Sequence, residues 1–296
     1  MCQYHDHALF CRDETGPAVN ADAVLAASAA GTVVDVGKMH RRDLLRAMAT
    51  GSLVMLAPAC ATNPETGRSQ FVGLASDQML AGMALQSWQQ LRAETPAYNN
   101  PRAQARLANV GGRIAVAANR PNDPWEFVVF DSPEKNAFVL PGGKVGFYRG
   151  LMEVAERDDH IASVLGHEVG HVTGRHAAER FSTQLALQGV MIGAQVASQD
   201  MDPRTRGIAL TALGLGAQVG VLLPFSRRDE LEADRLGVDY MHTAGYDVRE
   251  SVRFWELMAQ EGGGRRPPEF LSTHPSPETR MAELRAYINT RGYATM

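Results

Sequence analysis

Cysteine is scarce in this chain of 296 residues: there are three, Cys2, Cys11 and Cys60, and none beyond residue 60. The body after that point has no disulfide framework of its own and no thiol nucleophile. Its length is sufficient to fold around one core without such staples. Aromatic residues are few, at 7%, and neither sign of charge dominates, since 29 Lys and Arg face 33 Asp and Glu for a net charge of −4. That balance gives no electrostatic footprint for a nucleic acid, so no nucleic-acid partner is expected. The apolar stretch from Gly207 to Phe225 is near membrane-spanning length, but its glycines and Gln218 weaken its hydropathy. The chain as a whole is 45% hydrophobic and 21% charged, the composition of an ordinary globular protein.

The front of the chain reads as processing signals rather than fold. From Met39 it runs His40-Arg41-Arg42-Asp43-Leu44-Leu45-Arg46, then an apolar stretch over residues 47–57, then Pro58-Ala59-Cys60. A basic start, a short apolar run and a small-residue site are the layout of a secretory signal, and the run is too short to span a bilayer. The paired arginines resemble a twin-arginine export signal, and Cys60 resembles a lipoprotein attachment site, although Pro58 is not the usual residue there. Residues 39–60 are therefore expected to be a signal peptide, with a lipid anchor at Cys60. Residues 1–38 are expected to be a non-native or disordered leader, with Met39 as the true start, and no metal role is assigned to His5, Asp6 and His7. Residues 61–76 are polar and turn-rich and read as a tether.

The chemistry concentrates at His167-Glu168-Val169-Gly170-His171. On a helix, positions four apart lie one turn above each other, so two imidazoles can aim at one point. Zn²⁺ favours such nitrogen donors. Glu168, beside the first histidine, is placed to take a proton from a water at the metal. The flanking Ile161, Val164, Leu165 and Val169 predict a buried helix, and a buried His-Glu-His cluster needs a reason such as a metal.

Around this motif the pattern predicts helices over 77–94, 102–118, 150–157 and 159–176, with strands at 125–130, 136–140 and 144–148. Pro141-Gly142-Gly143 turns the last two strands into a hairpin. Residues 184–225, rich in Ala, Gly, Leu and Val, read as a helical hairpin around a polar turn at 199–204, soluble or interfacial rather than spanning. Helices over 247–261 and 277–291 follow. The fold class expected is α+β: a mostly helical metallopeptidase domain over 77–296, with a small β-sheet beside the metal helix.

Two histidines need a third ligand. The metzincin spacing would require histidine at position 177, which is alanine; His176 arrives one residue early and reads as a supporting or packing residue. Glu230 with Asp234 one helical turn later offers a ligand and a carboxylate that can fix a ligand histidine's tautomer. Glu232 points about 200° away from Glu230 on a helix. An ordinary charged helix face would carry the same residues. His160 and His242 read as surface or packing residues.

Taken together, His167-Glu168-x-x-His171, Glu230-x-x-Ala233-Asp234, Asn136-Ala137-Phe138, the Pro141-Gly142-Gly143 turn, and Thr273-His274-Pro275-Ser276-Pro277 with Arg280 resemble the HtpX and CAAX prenyl protease family of gluzincin zinc metallopeptidases, in its envelope-resident BepA-like branch. The resemblance covers residues 62–290. It implies one Zn²⁺ per chain held by His167, His171 and Glu230, with Glu168 as catalytic acid and base. Asp234 and Arg280 would stand behind the ligands, and Asn136, Ala137, Phe138 and Val139 would form a substrate-binding edge. His274 is expected to approach the metal, either steadying an oxyanion or occupying the open coordination position. The expected function is hydrolysis of peptide bonds in misfolded or misassembled envelope proteins, on the periplasmic side of a bacterial envelope and anchored to a membrane by lipid. A lipid-anchored assembly factor acting mainly by binding is the alternative.

Overall fold

The structure is a computed structural model and describes residues 60–217, 223–261, 274 and 277–293. The leader and the export signal lie outside these residues. The chain divides into two compact units, one drawn from residues up to 75 with 179–221, the other from 76–178 with 222–296.

The first unit opens with two short antiparallel strands, β1 (Cys60–Thr62) and β2 (Ser69–Phe71), in which Cys60 faces Phe71 and Thr62 faces Ser69. Asn63 turns the chain between them: its side-chain oxygen accepts the backbone N–H groups of Glu65 and Thr66, and Gly67 takes a φ of 68° that favours glycine. The amide of Asn63 donates to Gln70, and Gln70 and Arg68 both donate to the Glu179 carboxylate. The stretch read as a tether is thus paired and tied down. Three-residue strands are too short to register as alternation in the sequence. Cys60 is disulfide-bonded. Helices α5 (His176–Ala197) and α6 (Pro203–Ala217) occupy the stretch read as a helical hairpin as far as residue 217. They leave Ile192, Ile208 and Leu215 more than half exposed. Among the described residues, no helix is long and apolar enough to cross a membrane.

The second unit carries the functional motifs. Helices α1 (Asp77–Glu94) and α2 (Pro101–Ala117) begin where the sequence caps them. Ser76 accepts from the Met79 N–H, and Asn100 accepts from Arg102 and Ala103, with Pro101 at the first helical position, where its missing N–H costs nothing. A three-stranded sheet follows, in the order β3 (Glu126–Phe130), β5 (Lys144–Tyr148), β4 (Ala137–Leu140). β4 and β5 form the expected hairpin, turned by Gly142 and Gly143 at φ 87° and 74°. β3 pairs in parallel with β5, which leaves β4 as an edge. After α3 (Arg149–Val154) comes α4 (Asp158–Thr173), then α7 (Leu223–Thr243), α8 (Arg249–Glu261) and α9 (Pro277–Arg291). The helix expected over 159–176 breaks earlier: Arg175 takes a φ of 54°, a left-handed residue that ends α4 and lets His176 open a new helix.

α4 is the core. Ile161, Leu165 and Val169 are buried against Leu107, Val110 and Ile114 of α2 and Val238 and Met241 of α7. The fold is α+β and mostly helical, as expected. The α4 and α7 backbones come unusually close. A Cβ on Gly166 would lie 2.8 Å from the Gly237 carbonyl oxygen, one on Gly170 2.7 Å from that of Ala233, and one on Gly237 2.8 Å from the His167 nitrogen. A Gly166→Ala substitution should therefore overpack this seam and cost about 1–3 kcal/mol. The expected outcome is a lower denaturant midpoint at unchanged slope.

Candidate metal centre

α4 presents His167 and His171 on one face, with their Nε2 atoms 3.1 Å apart. The seam with α7 brings Glu230 against both: Oε2 is 3.3 Å from His167 Nε2, and Oε1 is 3.5 Å from His171 Nε2. His274 completes the group, its Nδ1 at 2.8 Å from Glu230 Oε2 and 3.1 Å from His167 Nε2. The four donor atoms all lie within 4.8 Å of one another. A tetrahedron with arms of roughly 2.0–2.1 Å has edges of about 3.3 Å. The spacing and the nitrogen-oxygen donor set therefore fit Zn²⁺.

The far side of His167 is held by a carboxylate. Its Nδ1 is 2.9 Å from Asp234 Oδ1. With Nε2 facing the donor cluster, Nδ1 carries the proton and donates to Asp234. Arg280 is 1% exposed. Its Nε and Nη2 donate to the two oxygens of Asp234 at 2.7 and 2.6 Å, and its Nη1 donates to the His274 carbonyl at 3.2 Å. Nη1 also lies 3.3 Å from Glu230 Oε2, and the guanidinium lies 4.0 Å over the Trp255 ring. On His171 the Nδ1 meets the Nδ1 of His176 at 2.8 Å, and His176 Nε2 is 3.0 Å from Glu232 Oε2.

Glu168 lies between the donors and the sheet. Its Oε2 accepts the Val139 N–H of the edge strand at 3.2 Å, and its Oε1 is 3.3 Å from His274 Nε2. Burial raises its proton affinity, against the opposing charges of His274 and His167. Burial would also raise Glu230, but hydrogen bonds from the three histidines hold its carboxyl well below the usual range. Burial and Arg280 act to lower His167, yet the hydrogen bonds to Asp234 and Glu230 outweigh them and hold it at about 9. Burial pushes His171 well down. Asp234, raised by burial, is pulled down to about 2 by the charge of Arg280. The donor oxygens are thus anionic, and a metal at this cluster would displace the proton that the His167 imidazole holds.

The structure brings together His167, Glu168, His171, Glu230, Asp234, His274 and Arg280. Of the expected substrate edge, Val139 reaches the centre. Ala137 is buried, and Asn136 accepts the N–H of Ala137 on its side chain and that of Tyr148 on its carbonyl. Phe138 packs edge-on to Trp88, with ring centres 6.3 Å apart. His160 is a packing residue, hydrogen-bonded to Glu250 and tilted against Phe254. Sequence reasoning missed Trp255 beneath Arg280 and the link from His176 to Glu232. Neither carries a spacing signal, because each partner comes from a different helix.

A helix-borne histidine pair, a distant glutamate and an edge strand against the intervening glutamate are arranged as a metallopeptidase centre would require. The comparisons agree: residues 101–288 match the model of peptidase family M48, and the chain belongs to that family. It is 32% identical over 251 residues to the beta-barrel assembly-enhancing protease of Escherichia coli (strain K12), covering 83% of this chain and 51% of that one. It is 35% identical over 183 residues to the mitochondrial metalloendopeptidase OMA1 of Schizosaccharomyces pombe (strain 972 / ATCC 24843), covering 62% and 52%. The chain spans about half the length of these relatives.

Arg280 is the buried counter-charge to two carboxylates, and removing it leaves them uncompensated. Arg280→Met should destabilise the protein by about 3–5 kcal/mol in urea unfolding. Arg280→Lys should recover little, because a point charge cannot reproduce the two-pronged contact with Asp234.

Proposed function

We propose that this chain is a zinc-dependent endopeptidase acting on proteins of the bacterial envelope, misfolded or misassembled ones above all. The observation that carries the reading is the convergence of His167, His171 and Glu230, with Glu168 between them and the β4 edge. Zn²⁺, one ion per chain on those three residues, would supply Lewis-acid polarisation of the scissile carbonyl and lower the pKa of water. Glu168 accepts the proton of the attacking water and passes it to the leaving amine. The segment 136–139 at the β4 edge takes up substrate in extended form, using backbone hydrogen bonds that tolerate varied side chains. His274, in reach of Glu230 and Glu168, either steadies the developing oxyanion or fills the remaining coordination position at rest. Asp234 and Arg280 keep His167 in the tautomer that presents Nε2.

The setting is supported by two features together: the export-like pattern over 39–60, and a bacterial relative whose name joins a protease to β-barrel assembly. A lipid anchor at Cys60 and the disulfide at the same sulfur are mutually exclusive, and the mass of the peptide carrying Cys60 distinguishes them. An assembly factor acting mainly by binding gains no separate support, since the relatives are named as peptidases.

Glu168→Gln should keep its zinc and lose casein hydrolysis by at least the 10²–10⁴-fold or so that a general base contributes. Chelation should abolish hydrolysis in the parent. Retained hydrolysis in the variant would contradict the mechanism. His274→Ala should change the peptidase rate or the zinc content, and a variant equal to the parent in both would remove His274 from the centre.

A further inference from the structure

His171 differs from His167 in what stands behind it. His167 leans on a carboxylate; His171 leans on another imidazole, at 2.8 Å between the two Nδ1 atoms. That second ring, His176, is 2% exposed. Its far nitrogen, Nε2, is 3.0 Å from Glu232 Oε2 and 4.0 Å from Asp229 Oδ1. The ring lies over the bare Cα of Gly174, where an added Cβ would come within 2.5 Å of His176 Nε2. It therefore sits in a fitted slot.

Two ring nitrogens at that distance form a hydrogen bond only if one carries a proton and the other offers a lone pair. The Nε2 of His171 faces His167 and Glu230 and must offer its lone pair to a metal. A neutral His171 then keeps its proton on Nδ1 and donates it to His176. The Nδ1 of His176 is the acceptor, so its own proton is on Nε2, aimed at Glu232. Only this direction of the chain, from His171 through His176 to Glu232, is compatible with a metal on His171. Glu232 projects from α7 about 200° away from Glu230, and the imidazole at the start of α5 bridges between it and His171.

We propose that His176 is a positioning residue of the metal centre: backed by Glu232, it fixes His171 as the Nδ1–H tautomer and aims the Nε2 lone pair at the ion. This rests on the zinc reading above. His176, Asp229 and Glu232 also stand close enough to hold a cation themselves. That arrangement would move the His176 proton to Nδ1 and set it against the donor on His171, so the two readings differ in the position of one proton and in the number of ions bound.

The test measures zinc affinity of the full chain by competition with a chromophoric chelator, for the parent, His176→Phe and His176→Asn. His176→Phe keeps the ring and removes the acceptor, and should bind zinc about 10–100-fold more weakly than the parent. His176→Asn, whose amide oxygen replaces Nδ1 as acceptor, should recover most of the affinity. A Phe variant that binds as tightly as the parent, or a parent that binds two zinc ions, overturns the proposal. Should the Phe variant fail to fold, ¹⁵N–¹H correlation of the zinc-loaded parent decides it: an Nε2–H tautomer at His176 is expected, and an Nδ1–H tautomer overturns it. A parent that takes up no zinc at all sinks the reading underneath, separately from the role of His176.

Discussion

Two helix backbones in contact, with no side chain between them, determine whether this centre can exist. Gly166 and Gly170 on α4 face Gly237 and Ala233 on α7 at distances no Cβ would permit. That contact lets a carboxylate from α7 reach the Nε2 atoms of both α4 histidines. Packed interiors resist even one added methyl group, so the same contact fixes the spacing of the donors. The glycines inside the motif thus serve the chemistry through packing rather than through backbone freedom.

Charge is the second constraint. Glu168, Glu230 and Asp234 are all nearly buried, and Arg280 is the permanent cation among them. An isolated buried carboxylate is expensive, and this group is tolerated because most of its oxygens meet a donor, while Glu168 Oε1 has only an ion-pair contact to His274 Nε2 at 3.3 Å. Arg280 serves Asp234 twice and approaches Glu230, the histidines crowd Glu230, and Val139 serves Glu168. A divalent ion would add positive charge beside the His167 imidazole, whose pKa stands at about 9. Proton and metal compete for one lone pair, which is how metal uptake becomes coupled to pH.

Much of this was legible in the sequence wherever a rule spans one element. The helical period put His167 over His171 and Asp234 one turn past Glu230, and Pro141-Gly142-Gly143 announced the turn between β4 and β5. The α+β class followed from the alternation of those patterns. The features that escaped come from pairings between elements. β3 joins β5 in parallel although β4 lies between them in the chain. The Asn63 turn is stabilised by its own side chain and by Glu179, more than a hundred residues on. The break at Arg175 has no proline to mark it and depends on a left-handed residue. His176 could be placed near the motif from its position, but its partner on α7 could not.

Arg280 has one more implication. The guanidinium that underlies His167, Asp234 and Glu230 belongs to α9, which follows every other described helix in the chain. While the ribosome is still adding residues before 280, the emerging polypeptide has its histidine pair and its glutamates but lacks the cation that makes their burial tolerable. Burial of those carboxylates therefore waits on residue 280, so the cluster can close only after α9 has been made.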